Sequence, residues 1–365
     1  MNDKPNPAPA EHLGYLDSAR GIAAVMVMIF HFISWKYENT TKGALASIIF
    51  NGSDAVSFFF VLSGFVLSYK YLVLGQQLDI RKYYINRIFR LWPAFFVAVV
   101  VHAINALRLD MSAAKFADMF LLNKSQFWEE AILLRSRSVL CGPGWTLVVE
   151  LWLSLFIPFF ILVVKRDWRL VFWLLMAYML VREIFYIHFI LGILLSLIYT
   201  KVKDVSFKQT KWYRYRYLIL AAAFVLFSIR HINRLSPLGP TYTYLADYIG
   251  LPFFYYTAFA SFVFIVAIIQ SKNAQRILEH KILRFIGKIS FGIYLMHWFI
   301  VGDIYFYWAD LLRYFGSEKL TFAVMLAFCT VATFTLATML HYWVELPFIR
   351  YSRRLTGRMK PSIQI

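Results

Sequence analysis

The sequence predicts an all-α polytopic membrane protein of about ten transmembrane helices, with both termini in the cytoplasm, and three observations carry that prediction. Of the 365 residues, 60% are hydrophobic and only 16% charged, with a mean hydropathy of +0.60. Soluble domains carry roughly 45–50% apolar and about 25% charged residues, so this chain has too few polar groups to cover a water-facing surface. The apolar residues are gathered into runs that approach the ~20 residues a helix needs to cross a hydrocarbon core. The basic residues fall in the segments between those runs, and mostly on one side.

In chain order the candidate spans are 16–36, 54–74, 90–107, 145–164, 168–182, 184–200, 217–232, 250–270, 289–309 and 320–343. The fifth and sixth are short and separated only by Val181, Arg182 and Glu183, so they read either as one re-entrant element or as two tilted helices. With the N-terminus in the cytoplasm, inner loops and tails collect 25 of the 38 basic residues and outer loops 12. That bias orients the protein and makes the helix count even. Residues 1–14 form a short cytoplasmic tail, 15–346 the membrane domain and 347–365 a basic cytoplasmic tail. The longest stretch outside the membrane is an outer loop over 108–143. Met1 to Leu13 lack the charged-then-apolar order of a cleavable signal, so they are expected to stay on the mature chain.

The same observations exclude other classes. A net charge of +18 invites nucleic acid, but the basic residues are dispersed between apolar runs rather than clustered on one face. No nucleic-acid partner is expected. Cys141 and Cys329 are far apart and have no Cys/His spacing around them, so a disulfide framework, a zinc site and a haem site lack support, and no metal is expected.

An ionisable side chain near the bilayer centre costs ~2.5–3.5 kcal/mol on insertion scales, which makes each one a functional candidate. Arg20 and His31 lie in the first span, eleven residues apart. At ~100° and 1.5 Å per residue they share one helix face, separated by ~16 Å. Small and apolar residues such as Ala24 and Val27 lie on the face between them, the pattern of a channel with a cationic mouth and a titratable group deep inside. Asp54 opens the second span near the outer interface; Ser63 and Gly64 permit close helix contact. Arg87 and Arg90, three apart, face one side at the cytoplasmic surface, where they either grip phosphates or only follow the positive-inside rule. Trp145 begins the fourth span, and Glu150 enters the membrane without a basic neighbour in sequence. It needs a partner from another helix, and His31 lies at similar depth. Ser290, Tyr294 and His297 follow one another at one-turn spacing in the ninth span, and Glu345 stands beside a helix-ending Pro347. His102 and His188 read as packing histidines.

These segments, in this order, resemble the acyltransferase-3 family of membrane acyltransferases, whose members O-acylate bacterial surface glycans. Arg20 and His31 match its Arg-x10-His motif, and Gly52 to Gly64 its Gly…Phe-Phe-x-x-Ser-Gly-Phe segment. Arg87 and Arg90 match its Arg-x-x-Arg, and Trp145 to Glu150 its Trp-Ser-Leu-x-x-Glu, with Thr146 in place of the usual Ser. Ser290, Tyr294 and His297 match Ser-x-x-x-Tyr-x-x-His, and Glu345 with Pro347 the closing Glu-x-Pro. The resemblance implies ten helices in the inner membrane of a bacterium. It also implies acyl-CoA, acetyl-CoA by preference, as co-substrate with no permanently bound cofactor, and a glycan or glycolipid as acceptor. No SGNH-type hydrolase extension, which some members carry, is expected after the tenth helix.

The chemistry expected of this arrangement is acyl transfer to a hydroxyl. Arg87 and Arg90, with Arg20, meet the phosphates of cytoplasmic acyl-CoA, whose thioester arm threads toward His31. Neutral His31 is the general base, and Glu150 fixes its tautomer; an acyl-histidine intermediate is the variant. The alternative from a different class is a proton-coupled transporter or flippase, in which Arg20, Glu150, His31 and His297 line a path.

Overall fold

The computed structural model describes residues 13–37, 40–109, 124–134, 140–170, 186–204, 210–235 and 253–359, and among these it contains helices and no strand. In chain order the helices are α1 (Gly14–Tyr37), α2 (Thr41–Ile49), α3 (Gly52–Leu72), α4 (Ile80–Leu109), α5 (Lys124–Ala131) and α6 (Gly144–Arg166). They continue with α7 (Tyr186–Asp204), α8 (Arg216–Leu235), α9 (Phe253–Gln270), α10 (Lys272–Leu278), α11 (Lys281–Phe306), α12 (Trp308–Phe315), α13 (Glu318–Leu340) and α14 (Leu346–Arg358). Eight helical segments among the described residues are long and apolar enough to cross a membrane, and nine if the sharply bent pair α9–α10 counts as one span. The expected fifth span lies almost wholly outside the described residues.

Two helices begin earlier than hydropathy places them: α4 at Ile80 rather than 90, and α11 at Lys281 rather than 289. Their first turns carry Arg81 and Lys82, and Lys281, Arg284 and Lys288. Hydropathy registers only the lipid-matched part of a helix, whereas long cationic side chains let it run on into the headgroup layer. The last span also runs past its expected end. Pro347 does not stop it: a π turn over His341–Glu345 joins α13 to α14, placing the proline in the first turn of α14. A proline inside a continuous helix removes one backbone donor and crowds the preceding turn, and the wide turn just before Pro347 is where the helix accommodates it. Helix α14 then packs on α4, and Ser352 Oγ donates to Asn86 Oδ1 at 3.0 Å.

Close backbone contacts position the site. Helices α1 and α11 run parallel, and Gly21 faces Gly287 so tightly that a Cβ on Gly21 would sit 2.6 Å from the Gly287 nitrogen. Helices α3 and α7 meet the same way: a Cβ on Gly64 would lie 2.5 Å from the Phe189 carbonyl oxygen. With no hydrophobic drive between helices in lipid, such small-residue seams let dispersion and polar contacts hold the bundle.

The expected outer loop is in part an interior element. Phe127, Ala131, Leu133 and Cys141 are 0–3% exposed and pack with Phe95, Val99, Leu147 and Leu295 of α4, α6 and α11. Trp92 Nε1 donates to the Ala131 carbonyl at 3.1 Å, and the Glu130 carboxylate accepts from the backbone N–H groups of Leu140 and Cys141 at 3.1 and 2.7 Å. Helix α6 therefore starts beside the middle of α11, where Gly142 abuts the Trp298 ring. Buried backbone N–H groups need partners, and Glu130 supplies them at this re-entry.

Candidate active site

A cavity of about 470 Å³ opens at the end of the bundle where α1 begins. Five cationic side chains line it, Arg20, Lys70, Arg87, Arg90 and Arg353, against three carboxylates, Asp17, Glu150 and Glu345. Ser63, Tyr294 and Ser290 complete its polar wall. Positive charge in a partly enclosed, apolar-walled space holds anions far better than at an open surface, because the local dielectric is low.

The carboxylates organise the cations. Glu150 Oε1 takes a charge-assisted bond from Arg87 Nη2 at 2.6 Å and a hydrogen bond from Ser63 Oγ at 2.9 Å. Arg87, expected at the cytoplasmic surface, is only 7% exposed and belongs to the interior of the long helix α4. Arg20 Nη2 pairs with Asp17 Oδ1 at 3.0 Å while its Nε donates to Ser290 Oγ at 3.1 Å, which ties α1 to α11. Glu345 accepts from His341 Nδ1 at 2.8 Å across the π turn. That turn resets the helix phase between α13 and α14, the usual effect of inserting one wide turn.

His31 and His297 form a second centre along the same helix pair. His31 Nδ1 lies 3.0 Å from His297 Nε2, and His297 Nδ1 donates to the Ile293 carbonyl at 3.1 Å. The two imidazoles are held at the same level as a consequence of the register set by Gly21 and Gly287. His297 is fully buried, whereas His31 is half-buried and meets the Trp298 ring edge-on. Neither histidine lines the cavity, which ends at Tyr294, one turn before His297. The Tyr294 hydroxyl shares a 2.9 Å hydrogen bond with Thr146 Oγ1 and closes the space between the two centres.

This geometry corrects three expectations. Glu150 does not partner His31: its carboxylate is taken by Arg87 and Ser63, and His297 occupies the place beside His31. Period along one helix gives the face a residue presents but not which helix faces it. The stripe from Arg20 to His31 is not an open channel, since Ala24 and Val27 are 0% and 1% exposed, packed with residues of α11 and α3. Asp54 does not sit at a wet interface: it is 2% exposed, with its backbone N–H bonded to Asn51 Oδ1 and its carboxylate 3.8 Å from His231.

Other expected residues are brought together. Ser63, Glu150, Arg87, Arg90, Arg20, Ser290, Tyr294 and Glu345 share the cavity wall, although they come from six segments of the chain. Trp145 packs beside it in the apolar cluster of α3, α6 and α7. His102 and His188 are buried, bonded to the Ala98 carbonyl and Ser57 Oγ. Sequence reasoning missed Lys70 and Arg353, which it counted as loop and tail charge, and Glu130. The apolar run Ala131 to Leu134 directly after Glu130 was the signal that this loop re-enters. Among the described residues no group of three or more His, Cys, Asp or Glu is arranged to hold a metal ion.

The fold and site define a polytopic membrane protein in which a cationic, anion-attracting cavity adjoins a buried histidine pair. A family model described as an acyltransferase domain matches residues 13–342. The chain belongs to that acyltransferase family. It is also similar to the peptidoglycan O-acetyltransferase OatA of Listeria monocytogenes, 26% identical over 329 residues, covering 78% of this chain and 49% of the relative. The chain thus spans about half the length of that relative. No solved structure matches it.

Proposed function

We propose that this protein transfers an acyl group, acetyl in the first instance, from cytoplasmic acyl-CoA to a hydroxyl of a surface or exported glycan or glycolipid. The observation that carries this reading is the alignment of the two centres on one helix pair: five cations around a cavity at one end of α1 and α11, and the histidine pair further along. The charge bias of the loops supports placing the cavity mouth at the cytoplasm, with the N-terminus there. The similarity to the Listeria peptidoglycan O-acetyltransferase supports O-acetyl transfer to a glycan.

Arg90, Lys70 and Arg353 then bind the donor's phosphates, leaving Arg87 to neutralise Glu150. The thioester reaches His31 when the Tyr294–Thr146 contact opens. The acceptor oxygen attacks the thioester carbon as His31 takes its proton, the C–S bond breaks, and the thiolate regains a proton from the imidazolium. Purified protein in lipid nanodiscs, given radiolabelled acetyl-CoA and a glycan acceptor, is expected to release CoA and label the glycan. His31→Ala, inserted normally, is expected to lose at least ~100-fold, the lower bound typical of a positioned acid–base group. Full activity of that variant, or glycan flux across vesicles without CoA release, overturns the assignment.

A further inference from the structure

We propose that His297 is a positioning residue that fixes the tautomer of His31, making Nε2 of His31 the atom that takes the proton. The proposal rests on the reading of His31 as the base, and it assigns that base a specific nitrogen and a specific holder.

The argument starts from an atom that can only accept. The Ile293 carbonyl lies 3.1 Å from His297 Nδ1, so that nitrogen carries the hydrogen. A neutral imidazole has one N–H, so His297 Nε2 presents its lone pair. His31 Nδ1 stands 3.0 Å from that lone pair and must be the donor; the Val27 carbonyl one turn earlier is a second acceptor beside the same ring, so it opposes nothing in this assignment. The ring geometry agrees: the planes are 18° apart and the centroids 5.1 Å apart, with the two nitrogens only 3.0 Å apart between them. The rings meet nearly edge to edge, as an in-plane N–H···N bond requires, and not face to face. Nδ1 of His31 is thereby committed as the donor, and Nε2 keeps the free lone pair.

The environment makes this assignment durable. His297 is 0% exposed and Ile293 is in the same dry cluster as Ile289 and Ile300. Water does not compete for the Ile293 carbonyl, and a flipped His297 ring would leave that carbonyl without its side-chain donor. The chain carbonyl → His297 → His31 does what a buried carboxylate does in hydrolase triads, orienting the ring and selecting the tautomer. It differs in being neutral. That difference suits a site inside a membrane, where an unpaired carboxylate is costly, and it frees Glu150 for Arg87. When Nε2 accepts the acceptor's proton, the imidazolium keeps its Nδ1–H bond to the His297 lone pair, so the new charge forms against an acceptor already in place.

The test separates positioning from structure. In His297→Gln the side-chain oxygen can still accept from His31 Nδ1, whereas in His297→Leu the site keeps its apolar volume and loses the acceptor. The leucine variant is expected to lose ~10–100-fold in kcat, the range seen for residues that orient a functional histidine, with KM for acetyl-CoA unchanged. The glutamine variant is expected to recover most of that loss. On 15N-histidine-labelled protein, His31 is expected to give the Nδ1–H tautomer in the wild type and a mixture in His297→Leu. Wild-type activity in the leucine variant, equal losses in both variants, or an Nε2–H tautomer of His31 in the wild type would falsify the proposal. If His31→Ala is itself fully active, the functional reading fails instead; if His31 is essential and His297→Leu is not impaired, only this inference falls.

Discussion

The two centres along α1 and α11 solve the problem of buried polarity in opposite ways. At the cavity end, charge is present in quantity and partly paired: Arg87 against Glu150, Arg20 against Asp17, with further cations lining the cavity. At the histidine end, the polar groups are arranged as neutral donors and acceptors, carbonyl to His297 to His31, in a dry apolar cluster. Ionic groups are retained where water and an anionic ligand can enter. Hydrogen-bonded neutral groups are used where nothing would solvate a charge. The difference teaches how one helix pair can hold ions at one end and neutral groups at the other. Under the proposed function, binding and chemistry would be divided between those ends, with Tyr294 and Thr146 between them.

That division can be broken at either end. The largest effect expected at the cavity end comes from Glu150→Ala, which strands the Arg87 guanidinium. Removing one partner of a buried pair costs about 3–5 kcal/mol; Glu150, 19% exposed toward the cavity, should fall at the low end. Thermal unfolding in detergent checks this, and the double variant Arg87→Leu/Glu150→Leu should be more stable than Glu150→Ala because no charge is left unpaired. A double variant no more stable than the single would mean that the pair does not organise this end.

Arg90→Gln sharpens the comparison with a smaller effect. Arg90 lines the cavity, and a charge-assisted bond to phosphate contributes ~1.5–3 kcal/mol. KM for acetyl-CoA should rise roughly tenfold or more with kcat nearly unchanged, and the difference should shrink in high salt. A fall in kcat at constant KM would move Arg90 from binding to chemistry. The smallest effect is expected for Asp17→Asn. Its pair with Arg20 is 27% and 41% exposed, so its loss should cost within the ~0–1 kcal/mol of exposed pairs, and Arg20 keeps its bond to Ser290. A large loss of stability would show that charge balance at the mouth extends further out than the geometry indicates.

Much of this was legible in the residues. Apolar length located the membrane helices, and the one-turn spacing of Ser290, Tyr294 and His297 placed them along one helix before any contact was known. The errors fall where a segment's own composition is a poor guide. Hydropathy started α4 and α11 late because their first turns are basic. It read 108–143 as an outer loop because no apolar run there is long enough to span, although Glu130 is consumed by backbone N–H groups inside the bundle. It put Asp54 at an interface because it cannot see His231 arriving from α8.

The residues themselves determined an all-helical membrane protein and the set of ionisable groups that had to find partners, because both follow from transfer free energies and the 3.6-residue period. Which groups became partners was decided only by tertiary structure. Helical period gives each side chain a direction from its own axis, but the height and rotation of one helix against another are set by contacts such as Gly21 on Gly287. That register gave His31 to His297, and the packing of α4 against α6 gave Glu150 to Arg87.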